Sequence, residues 1–229
     1  MQNIDITISE WMNGAARHSW AFDWVVMHVL STSTMRMLPL AACLIYVWSA
    51  AQPDDRGRRA VLDGLAGAFL ALVVSRLVQN LMWMRPRPLH DPAVAITPPY
   101  TVAPDMLLEW SSFPSDNAAL SFAIAAGVAL AGRRLGVAAF LWAAVVVCAP
   151  RIYGGLHYAS DILGGALIGV GAVHLSAALQ VGKRLERLAI AVDGRLPGAT
   201  GALLFLVAFQ ITTLFDDVRQ IATVLFSRL

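Results

Sequence analysis

The chain has 229 residues, of which 58% are hydrophobic and only 14% are charged, and its mean hydropathy is +0.63. This composition excludes an ordinary soluble globular protein and predicts a protein with several membrane-spanning helices. A net charge of +2 is too small to indicate a nucleic-acid partner. Cys43 and Cys148 lie in apolar runs, without the spacing of a disulfide or a metal site.

In chain order, residues 1–19 predict an amphipathic helix at the membrane interface, because Ile4, Ile8, Trp11 and Met12 recur with helical spacing. A membrane domain is expected at 20–181, and a basic connector followed by a C-terminal membrane helix at 182–229. A short apolar segment at 20–30 leaves the number of N-terminal spans open by one. Apolar runs predict an all-α bundle of about six spans, at 37–51, 60–84, 118–131, 135–149, 162–181 and from 201 to about 215.

The basic residues of the predicted loops divide between two membrane faces. The second face receives 85–117 and 150–161. The basic residues there lie on the wrong side to act as topology signals, and we interpret them as a cationic site facing the exterior or periplasm. They are Arg85, Arg87, His90, Arg151 and His157. If the spans alternate, three basic clusters fall on the first face, which the positive-inside rule assigns to the cytoplasm: Arg56, Arg58 and Arg59; Arg133 and Arg134; and Lys183, Arg184, Arg187 and Arg195.

Two polar segments on the second face are compatible with anion binding. In Arg85-Pro86-Arg87-Pro88, prolines hold two guanidinium groups at a spacing that suits phosphate oxygens. An anchor to lipid headgroups explains this segment equally well. Ser112-Phe113-Pro114-Ser115-Asp116-Asn117 has the composition of a helix start, whose exposed N–H groups bind anions. A simple helix cap is the alternative for this segment.

A third segment, 151–161, contains Arg151, His157 and Asp161. If a helix begins at Ser160 or Asp161, the Asp161 carboxylate lies beside the His157 ring and holds it in one tautomer, which leaves the other nitrogen free as a nucleophile. Arg151 would bind an anion next to it. The alternative is an exposed loop with a helix cap at Asp161.

The order RPRP, FPSDN and RxxxxxHxxxD, each at a membrane boundary, resembles the three signature motifs of the type 2 phosphatidic acid phosphatase (PAP2) superfamily. The form PSD and the phrase GLHYASDILGG look most like its bacterial undecaprenyl pyrophosphate phosphatase branch. The resemblance covers roughly residues 60–181. It implies a six-span bundle, no metal or other cofactor, and a phosphohistidine intermediate with His157 as nucleophile and Asp161 as its orienting carboxylate. The residues expected to bind the substrate phosphate are Arg76, Asn80, Arg85, Arg87, Ser115, Asp116 and Arg151.

Two positions depart from these motifs. The first motif begins with a Lys where this chain has Asn80; Arg76, one helical turn earlier on the same face, either supplies the positive charge or snorkels to the interface. The second motif ends in a His that acts as general acid, and this chain has Asn117, which can donate a hydrogen bond but cannot deliver a proton.

The Asn117 substitution bears on the substrate. A lipid diphosphate expels a phosphate group, whose second pKa is about 6, whereas a phosphomonoester expels an alkoxide, whose conjugate acid is about as weak as water, with a pKa of about 15.7. An alkoxide leaving group needs a general acid to protonate it, whereas a phosphate leaving group does not. The substitution therefore favours a diphosphate substrate over phosphatidate, or else indicates lost hydrolysis.

The expected function is that of an integral membrane polyprenyl diphosphate phosphatase, which converts undecaprenyl diphosphate to undecaprenyl phosphate at the periplasmic face of a bacterial inner membrane. The alternatives are a lipid phosphotransferase, a phosphatidylglycerophosphate or lipid A type phosphatase, and a non-catalytic lipid-phosphate-binding or flippase-like relative. The expected partners are the lipid substrate and the bilayer, with no nucleic acid. The oligomeric state is left open.

Overall fold

The computed structural model describes residues 2–53, 55–103 and 105–213. These residues are 74% helical and contain no strand, which confirms the all-α prediction. A 3₁₀ turn covers Pro88–His90, and a π-helical stretch, Ala143–Cys148, joins α6 to α7. Within the described residues the α-helices are α1 (Gln2–Asn13), α2 (Trp20–Ser31), α3 (Ser33–Ala50), α4 (Arg56–Leu81), α5 (Asp116–Ala131), α6 (Arg133–Trp142), α7 (Ala149–Tyr153), α8 (Ala159–Ala178), α9 (Val181–Asp193) and α10 (Ala199–Thr212).

Several of these helices are suited to crossing a membrane. In the described part of the chain, α4, the continuous stretch Arg133–Tyr153 and α8 are each long and apolar enough, and α2 with α3 forms a fourth span if the pair, bent by 59°, is counted as one. The helices α5 and α10 are apolar but have only 16 and 14 residues. The chain is thus a multi-pass membrane protein with three or four candidate spans. Six spans stays a prediction, and the predicted C-terminal helix beyond residue 213 lies outside the described residues.

The core of the bundle is built from α4, α5 and α8, which approach one another closely at small residues. A Cβ on Gly127 of α5 would lie 2.6 Å from the Gly64 Cα of α4, and a Cβ on Gly165 of α8 would lie 2.3 Å from the Ser115 carbonyl oxygen. Only glycine permits such backbone contact. The contact at Gly165 presses the start of α5 against the first turns of α8, and so brings the second and third predicted segments together.

The basic start of α4 lies at the opposite end of the bundle from these segments. Arg59 Nε is 2.8 Å from Glu186 Oε2 of α9, so two of the predicted basic clusters share one end. The 26 residues of α4 span about 39 Å. This length separates the cluster from residues 85–115, which follow the other end of α4.

The N-terminal helix α1 packs against the bundle on one side and exposes an apolar face on the other. Ile4 and Trp11 are 65% and 80% exposed, and the contact of this face with the membrane interface stays a prediction. Asn13 is buried on the other side, where its Nδ2 donates to the Tyr153 carbonyl oxygen at 2.9 Å. The buried carboxylate of Asp5 reaches the candidate site described below.

Candidate active site

A tight turn between α7 and α8 places His157. The backbone N–H groups of Leu156 and His157 both donate to the Arg151 carbonyl oxygen, at 2.9 and 3.2 Å. Gly155 has a φ of +69°, and a Cβ there would lie 2.9 Å from Ile96 Cγ2. Glycine is therefore needed both for the left-handed conformation and for the space. The turn folds His157 back over the end of α7.

The His157 ring has one protonated and one free nitrogen. Its Nδ1 lies 2.9 Å from the Ser112 carbonyl oxygen, which can only accept a hydrogen bond, so Nδ1 carries the proton and Nε2 presents its lone pair. Asp161 Oδ2 is 3.6 Å from Nδ1, too far for a hydrogen bond but close enough for an ion pair with a charged ring. The sequence assigned control of the tautomer to Asp161, and the structure gives the shorter contact to Ser112.

His157 is buried, and its surroundings favour the neutral ring. Burial lowers the pKa of His157 below its ordinary value of 6.5, and the positive charges of Arg87 and Arg151 lower it further, while Asp161 acts in the opposite direction. A neutral imidazole at pH 7 follows, as a nitrogen nucleophile requires.

Arg85 acts as a counter-ion of Asp161. Its Nη1 lies 2.5 Å from Asp161 Oδ1 and its Nη2 lies 2.9 Å from Asp5 Oδ2 of α1, so it bridges two carboxylates. Asp5 also accepts the backbone N–H of Ser160 at 2.9 Å, and the Tyr158 N–H donates to Asp161 Oδ2 at 2.8 Å. This network connects α1 to the start of α8. Both Nη atoms of Arg85 therefore contact carboxylates, whereas the sequence predicted that Arg85 binds phosphate.

Arg87 lies against the free nitrogen of His157. Its Nη1 donates to the Leu156 carbonyl oxygen at 2.6 Å and lies 3.4 Å from His157 Nε2, while Nη2 is 3.4 Å from the Ser111 carbonyl oxygen. Burial, with the nearby charge of Arg151, lowers the pKa of Arg87 to about 10, so the side chain stays protonated at pH 7. A fixed positive charge therefore stands beside the lone pair.

Arg151 is buried in the middle of α7, with 6% of the residue exposed. Among the described residues its Nε has no hydrogen-bond partner. An unpaired buried donor on a charged group is costly, and an anion is the natural acceptor for a guanidinium. Arg151 and Arg87 interact electrostatically, so the two arginines lie in the same region.

The start of α5 lies directly against the start of α8. The Ser115 N–H donates to the Asp161 carbonyl oxygen at 3.1 Å, and the Ser115 side chain caps α5 by accepting the Ala118 N–H at 3.4 Å. Asp116 forms an ion pair with Arg76 of α4, whose Nη2 is 2.7 Å from Asp116 Oδ2. Arg76 is therefore engaged at the site through Asp116.

Asn117, at the position of the expected general acid, is held from two sides. Its Oδ1 accepts a hydrogen bond from Arg36 Nη1 of α3 at 2.9 Å, and its Nδ2 donates to Asp116 Oδ1 at 2.9 Å. Asn80, by contrast, is exposed near the end of α4 and, within the described ranges, makes no hydrogen bond to these residues. The structure thus gathers every predicted site residue except Asn80.

A cavity of about 670 Å³ lies beside Arg85. Its walls combine the polar groups of Arg85, Tyr158 and Ser160 with apolar side chains that include Met82, Trp83 and Phe113. No group of three or more His, Cys, Asp or Glu side chains in the described part of the chain is arranged to hold a metal ion.

Three contributors to the site were not found from the sequence. Ser112 acts through its backbone carbonyl, which leaves no side-chain signal. Asp5 lies in a helix that the sequence connects only with the membrane surface. Arg36 directly precedes the predicted span 37–51, and only the structure places it inside a helix of the bundle, α3.

The family model of the PAP2 superfamily matches residues 64–184, more than half of the chain. The match begins in α4 and ends in the first turn of α9, so it includes all three polar segments. No curated protein and no solved structure matches the chain.

Proposed function

The chain belongs to the PAP2 superfamily, whose members are phosphatases and phosphoesterases, and on that premise we propose that it hydrolyses the terminal phosphate of a membrane lipid diphosphate at His157. The observation that carries the proposal is the neutral His157 ring, whose Nδ1 faces the Ser112 carbonyl at 2.9 Å and whose Nε2 lies 3.4 Å from Arg87. A nucleophile and an anion-binding group are thereby adjacent.

In the first step, the Nε2 lone pair forms a bond to the terminal phosphorus, in line with the bridging oxygen. Arg87 and Arg151 bind the equatorial phosphoryl oxygens. The bond from phosphorus to the bridging oxygen breaks, and its electron pair leaves with the lipid monophosphate.

The intermediate is a phosphoimidazolium that keeps its Nδ1 proton. Asp161, 3.6 Å from Nδ1, faces this positive charge and stabilises it. Water then adds to phosphorus, the nitrogen–phosphorus bond breaks with its electron pair returning to Nε2, and both water protons leave on the released dihydrogen phosphate. The neutral ring is restored, with its Nδ1 proton in place.

Other polar residues hold this arrangement without binding phosphate. Arg85 limits the attraction of Asp161 for the ring by sharing its carboxylate, and the Arg76–Asp116 ion pair fixes the start of α5. The cavity beside Arg85, with Met82 and Trp83 in its wall, suits the first units of a polyprenyl chain, because it joins apolar side chains to the charged region.

The proposed substrate is undecaprenyl diphosphate, converted to undecaprenyl phosphate at the periplasmic face of a bacterial inner membrane. Asn117 supports a diphosphate, because a phosphate leaving group needs no proton whereas an alkoxide does. The basic clusters at the opposite end of the bundle, which include Arg59, support the periplasmic position of the site by the positive-inside rule.

The test is phosphate release by the purified protein in detergent, from undecaprenyl diphosphate and from phosphatidic acid. We expect release from the diphosphate alone, none from the His157→Ala variant, and a gain of phosphatidic acid hydrolysis in Asn117→His. Equal activity of the His157→Ala variant would refute the assigned nucleophile. Binding of the diphosphate without release by the wild type would instead identify a non-catalytic lipid-phosphate binder.

A further inference from the structure

Arg36 of α3 is a buried charged residue. Its partner is Asn117, which stands where the second motif of the family has the general-acid His. Only 3% of Arg36 is exposed, and its Nη1 lies 2.9 Å from Asn117 Oδ1. We propose that Arg36 is a positioning residue that orients and polarises the Asn117 amide to receive an anionic leaving group, and that this pair selects diphosphates over monoesters. The inference rests on the proposed function and deepens it.

The orientation of the Asn117 amide follows from what Arg36 can offer. A guanidinium has donors and no acceptor, so only the amide oxygen can face it. The Nδ2 group must then point the other way, where one of its hydrogens reaches Asp116 Oδ1 at 2.9 Å. Asp116 is itself held by Arg76 of α4 at 2.7 Å. Three helices thus set one orientation, and among the described residues the second Nδ2 hydrogen has no acceptor.

Arg36 and Arg151 act electrostatically on the same buried group, the Cys148 thiol. A positive charge on the oxygen side of an amide withdraws electron density and makes its N–H a stronger donor, and the effect is larger where water is excluded. The Arg36–Asn117 pair therefore offers a polarised donor, and Arg151 interacts electrostatically with Asp116, to which that amide is hydrogen-bonded.

Such a donor discriminates between leaving groups. When the bond between phosphorus and the bridging oxygen breaks, the electron pair stays on the oxygen of the departing lipid phosphate, and no proton moves to it. The polarised amide stabilises this negative oxygen by a hydrogen bond. An alkoxide of a monoester needs a proton, which neither Arg36 nor Asn117 delivers. The pair is thus a specificity device for diphosphates.

The experiment is a double-mutant cycle with Arg36→Met and Asn117→His, measured on farnesyl diphosphate and on phosphatidic acid. With Asn117 present, Arg36→Met should lower kcat for the diphosphate by about 10²-fold, the usual loss for one transition-state donor, with KM little changed. In the Asn117→His background, Arg36→Met should lower kcat for the diphosphate by less than about tenfold. It should not lower phosphatidic acid hydrolysis, because removal of the adjacent Arg36 charge makes the imidazole at position 117 easier to protonate.

If Arg36 had only a structural role, Arg36→Met would lower both activities equally, with Asn117 and with Asn117→His. That result, or no loss of activity in either background, overturns the inference. If Arg36→Met does not fold, Arg36→Gln serves the same comparison, because it keeps a hydrogen-bond donor in the buried site but removes the charge. Arg58→Met makes the same chemical change at the opposite end of the bundle and should leave kcat unchanged. A wild type that releases no phosphate from diphosphates refutes the proposed function instead.

Discussion

The imidazole Nδ1 of His157 donates its proton to the carbonyl oxygen of Ser112 at 2.9 Å. The two residues are 45 positions apart, and their contact joins the segment before α5 to the turn before α8. A backbone carbonyl cannot change its protonation state, so it holds the ring in one tautomer regardless of the charge on Asp161. The consequences for catalysis can be measured.

Asp161→Asn should retain part of the activity. Where a carboxylate alone sets the tautomer of a catalytic histidine, its replacement by an amide costs about 10⁴-fold. Here Ser112 sets the tautomer, so the loss should be about 10²-fold and should come from weaker stabilisation of the phosphoimidazolium. Single-turnover and steady-state kcat on a lipid diphosphate measure it. A loss as complete as that of His157→Ala would show that Asp161, and not Ser112, orients the ring.

The pH dependence of kcat/KM should report the neutral His157 ring. Because burial and the charges of Arg87 and Arg151 lower the pKa of His157, the nucleophile stays unprotonated as the pH falls through 6.5, and the acidic limb should lie below that value. Arg87→Met removes one of these charges and should move the limb to higher pH, with a raised KM. An unchanged limb in this variant would argue that another group titrates.

Arg85 and Arg87 should differ in which kinetic constant they control. Arg85 bridges Asp161 and Asp5, so Arg85→Met should lower kcat about tenfold or more while KM for the diphosphate and inhibition by inorganic phosphate stay close to wild type. Arg87→Met should raise KM and weaken phosphate inhibition. The opposite pattern would return Arg85 to the phosphate-binding role predicted from its sequence.

Gly165→Ala should disturb the site by moving the start of α5. Its Cβ would lie 2.3 Å from the Ser115 carbonyl oxygen, and such overpacking costs about 1–3 kcal/mol of stability. Both the thermal midpoint in detergent and kcat should fall. Gly171→Ala is the matched control in the same helix, because a Cβ there meets nothing within 4 Å and should raise stability by up to about 1 kcal/mol. Equal behaviour of the two variants would mean that this helix contact does not position the site.

The sequence by itself determined the membrane class, the helical architecture and the three segments that meet at the candidate site. Apolar runs and motifs are local patterns, and a helix closes its hydrogen bonds within a few residues, so both can be read without knowing the fold. The number of spans was harder to predict, because α2 and α3 form a bent pair and α5 is short. Whether these helices cross the bilayer depends on their neighbours.

Only the tertiary structure decided which groups surround His157. The contacts of His157 with Ser112, of Arg85 with Asp5 and of Arg36 with Asn117 join residues 45, 80 and 81 positions apart. The close packing of α4, α5 and α8 at their glycines sets the distances between the helix ends. These distances determine which residues become partners. Because hydrogen bonds and ion pairs depend on separations of a few tenths of an ångström, this packing, and not the local pattern, gives each arginine its role.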